Sequence, residues 1–128
     1  MRTKLLTLII AVLIALPAIL SAAEVSVYDD DIKAGNVVKW TKDNIYVLEE
    51  MIFVEEGAEL HIDAGTVIWG KQGQELDAKA LVITRGAKIF ARGTKAEPII
   101  FTAYGDDPYD MNDGFTLTET GLWGGLII

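Results

Sequence analysis

The feature that most constrains the fold is a sequence pattern that occurs twice, 29 residues apart. FVEEGAELHI aligns with VITRGAKIFA when Gly57 is placed on Gly86. Each copy joins two short apolar runs through a Gly-Ala pair, and glycine accepts the positive φ that a sharp corner between strands often requires. A fixed period of this length is typical of proteins that stack one structural unit on the next. The pattern therefore predicts a repeat architecture.

Side chains alternate between apolar and polar within both copies, which is the period of a β-strand. Leu60 and Ile62 share one face of the first copy, and Ile89 and Ala91 hold the matching positions in the second. Stacked coils would place Leu60 beside Ile89 and Ile62 beside Ala91 in an interior ladder, with parallel strands about 4.8 Å apart.

On the outer face, the same alignment sets opposite charges beside each other. Glu59 falls on Lys88, and Asp63 falls on Arg92. Such surface pairs contribute well under about 1 kcal/mol each, but both favour this register.

Short β-rich runs separated by turn residues continue along the chain, which predicts an all-β fold. The runs are VVKW (37–40), IYVL (45–48), MIFV (51–54), ELHID (59–63), TVIWG (66–70), ALVIT (80–84), KIFAR (88–92) and PIIFT (98–102). Further along the two copies, Val67-Ile68 lies near Ile99-Ile100, with a few residues inserted after Arg92.

The terminal segment GLWGGLII has the composition of a buried strand. We expect two full coils, 45–70 and 80–102, with GLWGGLII beginning a third. A coil that stops partway exposes apolar side chains and unpaired strand edges. We therefore expect residues 37–128 to be the first coils of a longer protein; a complete chain would instead associate end to end with another copy.

The N-terminal segment, residues 1–23, has the composition of a secretory signal peptide. Arg2 and Lys4 precede an apolar run, and small residues follow up to Ala23. This order predicts cleavage after Ala23 and hence export, with no membrane span left in the mature chain. An uncleaved membrane anchor is the alternative, although the run is slightly shorter than the ~20 residues of a typical span. The sequence has no cysteine, so neither a lipid anchor on cysteine nor a disulfide is expected.

An acidic stretch, residues 24–36, follows and is expected to be an exposed leader. The chain has 11 Lys and Arg against 19 Asp and Glu, and loss of Arg2 and Lys4 with the signal would leave a net charge of −10. A surface of this sign repels phosphate backbones and anionic lipid heads, so nucleic acid is not an expected partner.

Three segments together resemble a known family: NIYVLEEMIFVEEGAELHIDAGTVIWGKQGQ, ALVITRGAKIFARGTKAEPIIFTA and GLWGGLII. In this order they are similar to the N-terminal part of large secreted right-handed β-helix proteins of Bacteroidetes-type bacteria. The resemblance covers residues 37–128 and implies an all-β, right-handed parallel β-helix. Many members of that family carry a C-terminal sorting domain for type IX secretion to the cell surface, and this sequence contains neither that domain nor the later coils.

One loop carries residue types that suit a hard cation. AYGDDPYDMNDG (103–114) contains carboxylates and an amide, which are ligands that Ca²⁺ prefers. The candidates are Asp106, Asp107, Asp110, Asn112 and Asp113. Their spacing differs from that of an EF-hand, and a plain acidic loop is the alternative.

No catalytic constellation is visible in the sequence. His61 is the single histidine and is expected on the outer face of a strand. Many right-handed β-helices act on acidic polysaccharides through clustered carboxylates and a basic residue on an outer strand face, and the basic candidates here are Lys88 and Arg92. Four aromatic residues either stack on sugar rings or, as the alternative, cover the corner of a coil or lie under a loop: Trp40, Trp69, Trp123 and Phe90.

These observations predict an exported protein of the cell surface or the extracellular space, outer-membrane association included. Its expected role is structural or adhesive and non-enzymatic, with carbohydrate or another envelope component as partner. The alternative is the N-terminal part of a polysaccharide lyase or hydrolase whose active site lies in later coils. An enzyme would stack several acidic residues at one outward position, whereas a scaffold would vary its outer residues over a constant apolar interior.

Overall fold

A computed structural model describes residues 22–116 and 119–128. Apart from Ala22 and Ala23, the predicted signal segment 1–23 lies outside the described residues. The described part contains ten short strands and single turns of 3-10 helix at Asp29–Asp31 and Glu75–Asp77. The strands are β1 (Ala23–Val27), β2 (Val37–Trp40), β3 (Asn44–Leu48), β4 (Met51–Val54), β5 (Glu59–Ile62), β6 (Val67–Gly70), β7 (Ala80–Ile83), β8 (Lys88–Ala91), β9 (Ile100–Ala103) and β10 (Gly125–Ile127). Within this part of the chain, no helix has the length and apolar character needed to cross a bilayer.

The strands assemble into three parallel sheets. Sheet A has the order β1-β3-β6-β9, sheet B the order β2-β5-β8, and sheet C the order β4-β7-β10. The pairings between neighbours are parallel, and from β3 onward the chain visits sheets A, C and B in turn before it returns to sheet A. Each circuit is therefore one coil of a parallel β-helix, and the predicted all-β, coiled fold is confirmed.

The acidic stretch 24–36 belongs to the β-helix instead of forming the exposed leader that we expected. β1 pairs with β3 along its whole length. Val27 is 3% exposed and Ile32 is fully buried, so two apolar side chains anchor this stretch in the core. Few apolar positions suffice here because β3 supplies the backbone hydrogen bonds of β1.

A coil without insertions has 22 residues: Val37 in β2 lies opposite Glu59 in β5. Glu59 in turn lies opposite Lys88, which is 29 positions later. The loop at 71–79 accounts for the longer interval. The 29-residue pattern in the sequence is therefore the spacing of a coil with an insertion, and it does not reveal the first, shorter coil.

The corner that leads into sheet B is repeated in three coils. Gly35, Gly57 and Gly86 have φ values of 76°, 78° and 83°, the left-handed region that glycine alone enters without strain. The residue after each glycine donates its N–H to the carbonyl three positions earlier, as from Ala58 to Glu55 at 2.9 Å. Gly57 also donates its N–H to the carbonyl of Gly86 at 3.0 Å, so successive corners hydrogen-bond to each other. The predicted role of the glycines is confirmed.

The interior of the coils is an apolar ladder. Leu60 lies opposite Ile89 and Ile62 lies opposite Ala91, as the alternation predicts. Leu60 is fully buried, and Ile62 is 2% exposed. The other large side chains that are fully buried are the apolar Ile32, Val47, Leu48, Ile52, Val54, Ile68 and Leu81, together with Thr66.

In sheet A, the partners of Val67 and Ile68 lie one position beyond Ile99 and Ile100, the residues near which they were predicted to lie. Val67 lies opposite Ile100, and Ile68 lies opposite Phe101. The loop between β8 and β9 is longer than the matching turn after β5 and sets the start of β9 one residue later. The inward positions of β6 and β9 still match, because Ile68 and Phe101 both pack in or against the core.

The segment GLWGGLII contributes β10, which pairs with β7 and places Leu126 opposite Leu81. Gly124 donates its N–H to the carbonyl of Lys79 at 2.6 Å. A Cβ on Gly124 would lie 2.8 Å from that oxygen, so only glycine fits this approach of two coils.

Candidate functional site

An open cleft of about 530 Å³ lies where the outer face of sheet B turns toward sheet A. The cleft crosses three coils, because its walls come from the turn after β2, the end of β5 and its following turn, and the end of β8 and its following loop. The lining side chains that carry the argument are Lys42, His61, Asp63, Phe90, Arg92 and Glu97.

Two rings stack in the cleft. His61 in β5 lies opposite Phe90 in β8, and the ring centroids are 4.5 Å apart with an interplanar angle of 20°. Both side chains point outward because Leu60 and Ile62 take the interior positions of β5. Strands in a parallel sheet are about 4.8 Å apart, so the register alone brings the rings into contact. The outward position predicted for His61 is confirmed, with 38% of its side chain exposed.

Glu59 contacts two side chains on the outer face of sheet B. Its Oε2 lies 3.0 Å from Nε2 of His61, and its Oε1 lies 3.8 Å from Nζ of Lys88. The predicted pairing of Glu59 with Lys88 is confirmed. The contact between Glu59 and His61 helps to orient the His61 ring.

Asp63 pairs with Lys39, at 3.4 Å, and not with Arg92 as the alignment predicts. Lys39 lies in β2, directly opposite His61, in the coil that the repeat pattern does not reveal. Arg92 instead places its guanidinium 5.6 Å from the centroid of the Phe90 ring. At this distance the negative face of an aromatic ring attracts a cation, which gives Arg92 a competing partner.

A further ion pair, between Lys42 and Glu97, lies next to Gly65 at the side of the cleft. Lys42 Nζ lies 2.6 Å from Glu97 Oε1, although the two residues are 55 positions apart. The carbonyl of Glu97 accepts the N–H of Gly65 at 3.0 Å. A Cβ on Gly65 would lie 3.5 Å from the Cβ atoms of both Lys42 and Glu97. The hydrogen bond from Lys42 to Glu97 raises the pKa of the Lys42 amine above its ordinary value.

The predicted calcium ligands lie together in the connection between β9 and β10, where most of them cap backbone N–H groups. Asp113 Oδ2 accepts the N–H of Asp107 at 2.6 Å. Asp107 Oδ1 accepts the N–H of Tyr109 at 3.0 Å. Asp110 Oδ1 accepts the N–H of Asn112 at 2.9 Å. The carboxylates therefore shape the loop itself.

Backbone N–H groups of this loop stabilise the ionised form of the Asp113 carboxyl. Hydrogen bonds from the backbone N–H groups of Phe115 and Asp107 lower the pKa of the Asp113 carboxyl. Asp106 accepts a hydrogen bond from the hydroxyl of Thr102. Across residues 22–116 and 119–128, no three His, Asp or Glu side chains are grouped closely enough to hold a metal ion. The calcium site stays a prediction.

Of the aromatic candidates, Phe90 lines the cleft. Trp40 is 3% exposed and stacks on Tyr46 in the core, with ring centroids 4.7 Å apart. Trp69 donates its indole N–H to a carbonyl of the acidic loop at 2.9 Å, and Trp123 packs against the core. The three tryptophans follow the structural alternative, because Trp40 and Trp123 pack in or against the core and the half-buried Trp69 lies under the acidic loop.

A family model described as a pectate-lyase-like β-helix domain matches residues 31–128. The chain belongs to the pectate-lyase-like β-helix family. Searches of curated proteins and of solved structures found no match. Membership of this family is compatible with a polysaccharide-related role. The predicted resemblance to β-helix proteins is confirmed at this level, whereas the bacterial group stays a prediction.

Within this pectate-lyase-like β-helix domain, Lys42 and Glu97 line the cleft, but the sequence pattern does not single them out. Both lie outside the strands, where the alternation of side chains assigns no face. One signal was available, because the repeat alignment requires extra residues after Arg92. An inserted loop at the end of an outward-facing strand can form a wall over that face.

Proposed function

We propose that the chain is an exported β-helix module that contacts polysaccharide without cleaving it, and that the cleft on sheet B is the contact site. The observation that carries the proposal is the stacked pair of His61 and Phe90 inside a cleft bordered by charged side chains. Export is supported by the predicted signal segment 1–23.

Each ring covers one face of the other, so the stack offers a sugar the remaining apolar surface of the two rings at the cleft. Aromatic side chains combine such apolar surface with polar neighbours at many binding sites. Arg92, Asp63 and Glu97 supply donors and acceptors for hydroxyl groups at the margin of the rings. A repeating polymer could then lie across successive coils, since the cleft itself crosses three of them.

Binding without cleavage is supported by the state of the carboxylates around the rings. Glu59 contacts His61 and Lys88, Asp63 pairs with Lys39, and Glu97 pairs with Lys42. Each of these carboxylates is therefore engaged with a side chain of the protein itself, whereas a general base must be placed to take a proton from the substrate. The outer positions also vary in type from coil to coil over a constant apolar interior, which is the pattern expected of a scaffold.

The test is affinity electrophoresis of the chain from residue 24 onward in gels that contain neutral or acidic polysaccharides. We expect retardation by at least one polymer, and a loss of about three- to tenfold in affinity for Phe90→Ala. Phe53→Ala is the matched control, because Phe53 is an outward phenylalanine on sheet C, 37% exposed. Equal effects of the two substitutions, or no retardation by any polymer, would contradict the cleft as the binding site.

The second candidate is a polysaccharide lyase or hydrolase, and membership of a pectate-lyase-like family favours it. In that case the protein would release shortened sugar chains from the bound polymer. Loss of this release in Arg92→Ala or Lys88→Ala, with binding retained, would replace the non-enzymatic proposal. Cell fractionation tests export separately: the mature chain, without residues 1–23, is expected in the envelope or the medium.

A further inference from the structure

We propose that the outer face of sheet C binds a segment of a partner protein in which apolar side chains lie beside lysine or arginine. The residues of this sheet C surface are Met51, Phe53, Leu76, Val82 and Ile127. The surface lies on a different sheet from the cleft, so the inference goes beyond the proposed polysaccharide contact and does not depend on it.

The outward positions of sheet C form an apolar row across three coils. Val82 lies opposite Phe53 in one neighbouring strand and opposite Ile127 in the other. These side chains point outward because the residues before them in β4 and β7, Ile52 and Leu81, are fully buried in the interior. Phe53 is 37% exposed, and Ile127 is 49% exposed. A sheet face in contact with water normally carries polar side chains, so this row is suited to packing against another apolar surface.

The loop 71–79 adds a leucine to this surface. Leu76 is fully exposed in the 3-10 turn Glu75–Asp77. Glu75 before it has a φ of 53°, the left-handed conformation that strains a residue with a Cβ. Such strain persists where the surrounding structure holds it, and it is concentrated at functional sites. Here Lys79 holds the turn, because its Nζ donates a hydrogen bond to the carbonyl of Asp77 at 2.8 Å. The loop therefore keeps Leu76 available to a partner.

A shallow pocket of about 230 Å³ connects Leu76 to sheet C. Met51 of β4 lines the pocket together with Leu76. Met51 lies two positions before Phe53, so both side chains are on the outer face of the same strand. The apolar surface is therefore continuous from the loop, through the pocket, to the row on sheet C.

The charge of the pocket identifies the kind of partner. Asp29, Glu50 and Asp77 line it, and Lys79 is the one cation among the described residues of its lining. Lys79 is already paired with Asp77, and its side chain is only 12% exposed. A basic side chain of a partner would complement the remaining carboxylates. A second copy of the chain fits less well, because face-to-face packing would bring the same carboxylates together.

The test is the fluorescence anisotropy of labelled peptides titrated with the mature chain, residues 24–128. One short peptide alternates leucine with lysine, a second has glutamate in place of lysine, and a third has serine in place of leucine. We expect the leucine–lysine peptide to bind more tightly than the other two. Leu76→Ser and Glu50→Gln should each weaken its binding about three- to tenfold.

Two matched variants control for loss of an apolar side chain and of a charge. Val37→Ser removes an apolar side chain that is 69% exposed on sheet B, and Glu56→Gln removes a carboxylate outside the pocket. Both should bind the peptide as the wild type does. Equal weakening by all four substitutions, or equal binding of the three peptides, would overturn the proposal.

The other possible occupants give different results. A dimer in sedimentation equilibrium that Leu76→Ser abolishes would assign the sheet C surface to a second copy and overturn the proposal. Binding to phosphatidylcholine vesicles that Leu76→Ser abolishes would overturn it in favour of a lipid surface. A monomer that binds the leucine–lysine peptide and not the vesicles would support it.

Discussion

Gly57 has a φ of 78° in the turn between β4 and β5, and Gly35 and Gly86 occupy the same place in the coils on either side. A Cβ on Gly57 would meet nothing closer than 3.7 Å, the distance to the backbone N of Gly35. The requirement for glycine is therefore conformational and not a matter of space. An L-residue in this region of φ is strained because its Cβ approaches the backbone.

We expect Gly57→Ala to lower the free energy of unfolding by about 1–2 kcal/mol, the cost of a left-handed conformation for an L-residue. Gly57→Asn should cost less, because asparagine tolerates this conformation better than alanine. Urea denaturation followed by circular dichroism measures both. If the larger asparagine side chain proves more damaging than alanine, crowding and not φ governs the position.

At the scale of elements, the register of sheet B could be predicted because two kinds of signal agree. The Gly-Ala corner fixes where β5 and β8 begin, and the alternation then decides that Leu60 and Ile89 face inward. β1 lacked both signals, because Val27 is the single buried residue of that strand and no glycine precedes it. The sequence therefore predicts the later coils but not the first.

The same difference explains what could be predicted of the candidate site. His61 and Phe90 occupy outward positions of strands whose register is visible in the sequence, so their proximity follows from it. The partner of Asp63 could not be predicted, because Lys39 belongs to the first coil. Lys42 and Glu97 meet only because the loop after β8 folds back, and no periodicity describes a loop.

The interior ladder should behave as a packed core. Leu60 is fully buried between Val38 and Ile89 in the register of sheet B. We expect Leu60→Ala to lower the free energy of unfolding by about 2–5 kcal/mol, from lost burial and the cavity that remains. Val37→Ala, at a position 69% exposed, should change it by less than about 0.5 kcal/mol in chemical denaturation. Similar losses for the two would show that β5 does not form the core of the coils.

The acidic loop after β9 is tested by calorimetry with Ca²⁺. If the predicted ligands form a site, heat of binding should appear at millimolar Ca²⁺ and disappear in Asp110→Asn. Asp77→Asn provides a control for charge, since Asp77 lies in a different loop and pairs with Lys79. Absence of heat in the wild type would leave the loop as one that uses its carboxylates to cap its own backbone.

At the scale of the whole molecule, one carboxylate links three coils. Glu49 accepts a hydrogen bond from Ser26 at 2.8 Å and pairs with Lys71 at 2.6 Å, and its side chain is only 16% exposed. The hydrogen bond from Lys71 lowers the pKa of the Glu49 carboxyl below its ordinary value. The resulting stabilisation is present above the unfolded-state pKa and is lost as the pH falls through the lower, folded-state pKa.

We therefore expect Lys71→Met to destabilise the protein most at neutral pH. The difference from wild type should shrink as the pH falls below the ordinary glutamate range, because protonated Glu49 no longer gains from Lys71. Thermal unfolding of both proteins across this range measures the effect, with Lys95→Met as a control for loss of one surface charge. A difference that stays constant with pH would mean that Lys71 stabilises the coils through packing of its stem alone.

The corners of the coils differ in how much the length of the connecting segment varies from coil to coil. The corner from sheet C to sheet B has four residues in both later coils, 55–58 and 84–87, and its turns hydrogen-bond to one another. The extra length of the 71–79 loop is accommodated entirely at the corner from sheet A to sheet C. A foreign peptide grafted within 72–76 would therefore leave the stacking of coils unchanged, whereas the same graft at 56–57 would separate two coils along their common seam. The β-helix can therefore display an inserted peptide at the corner from sheet A to sheet C, whereas the corner from sheet C to sheet B does not accept an insertion.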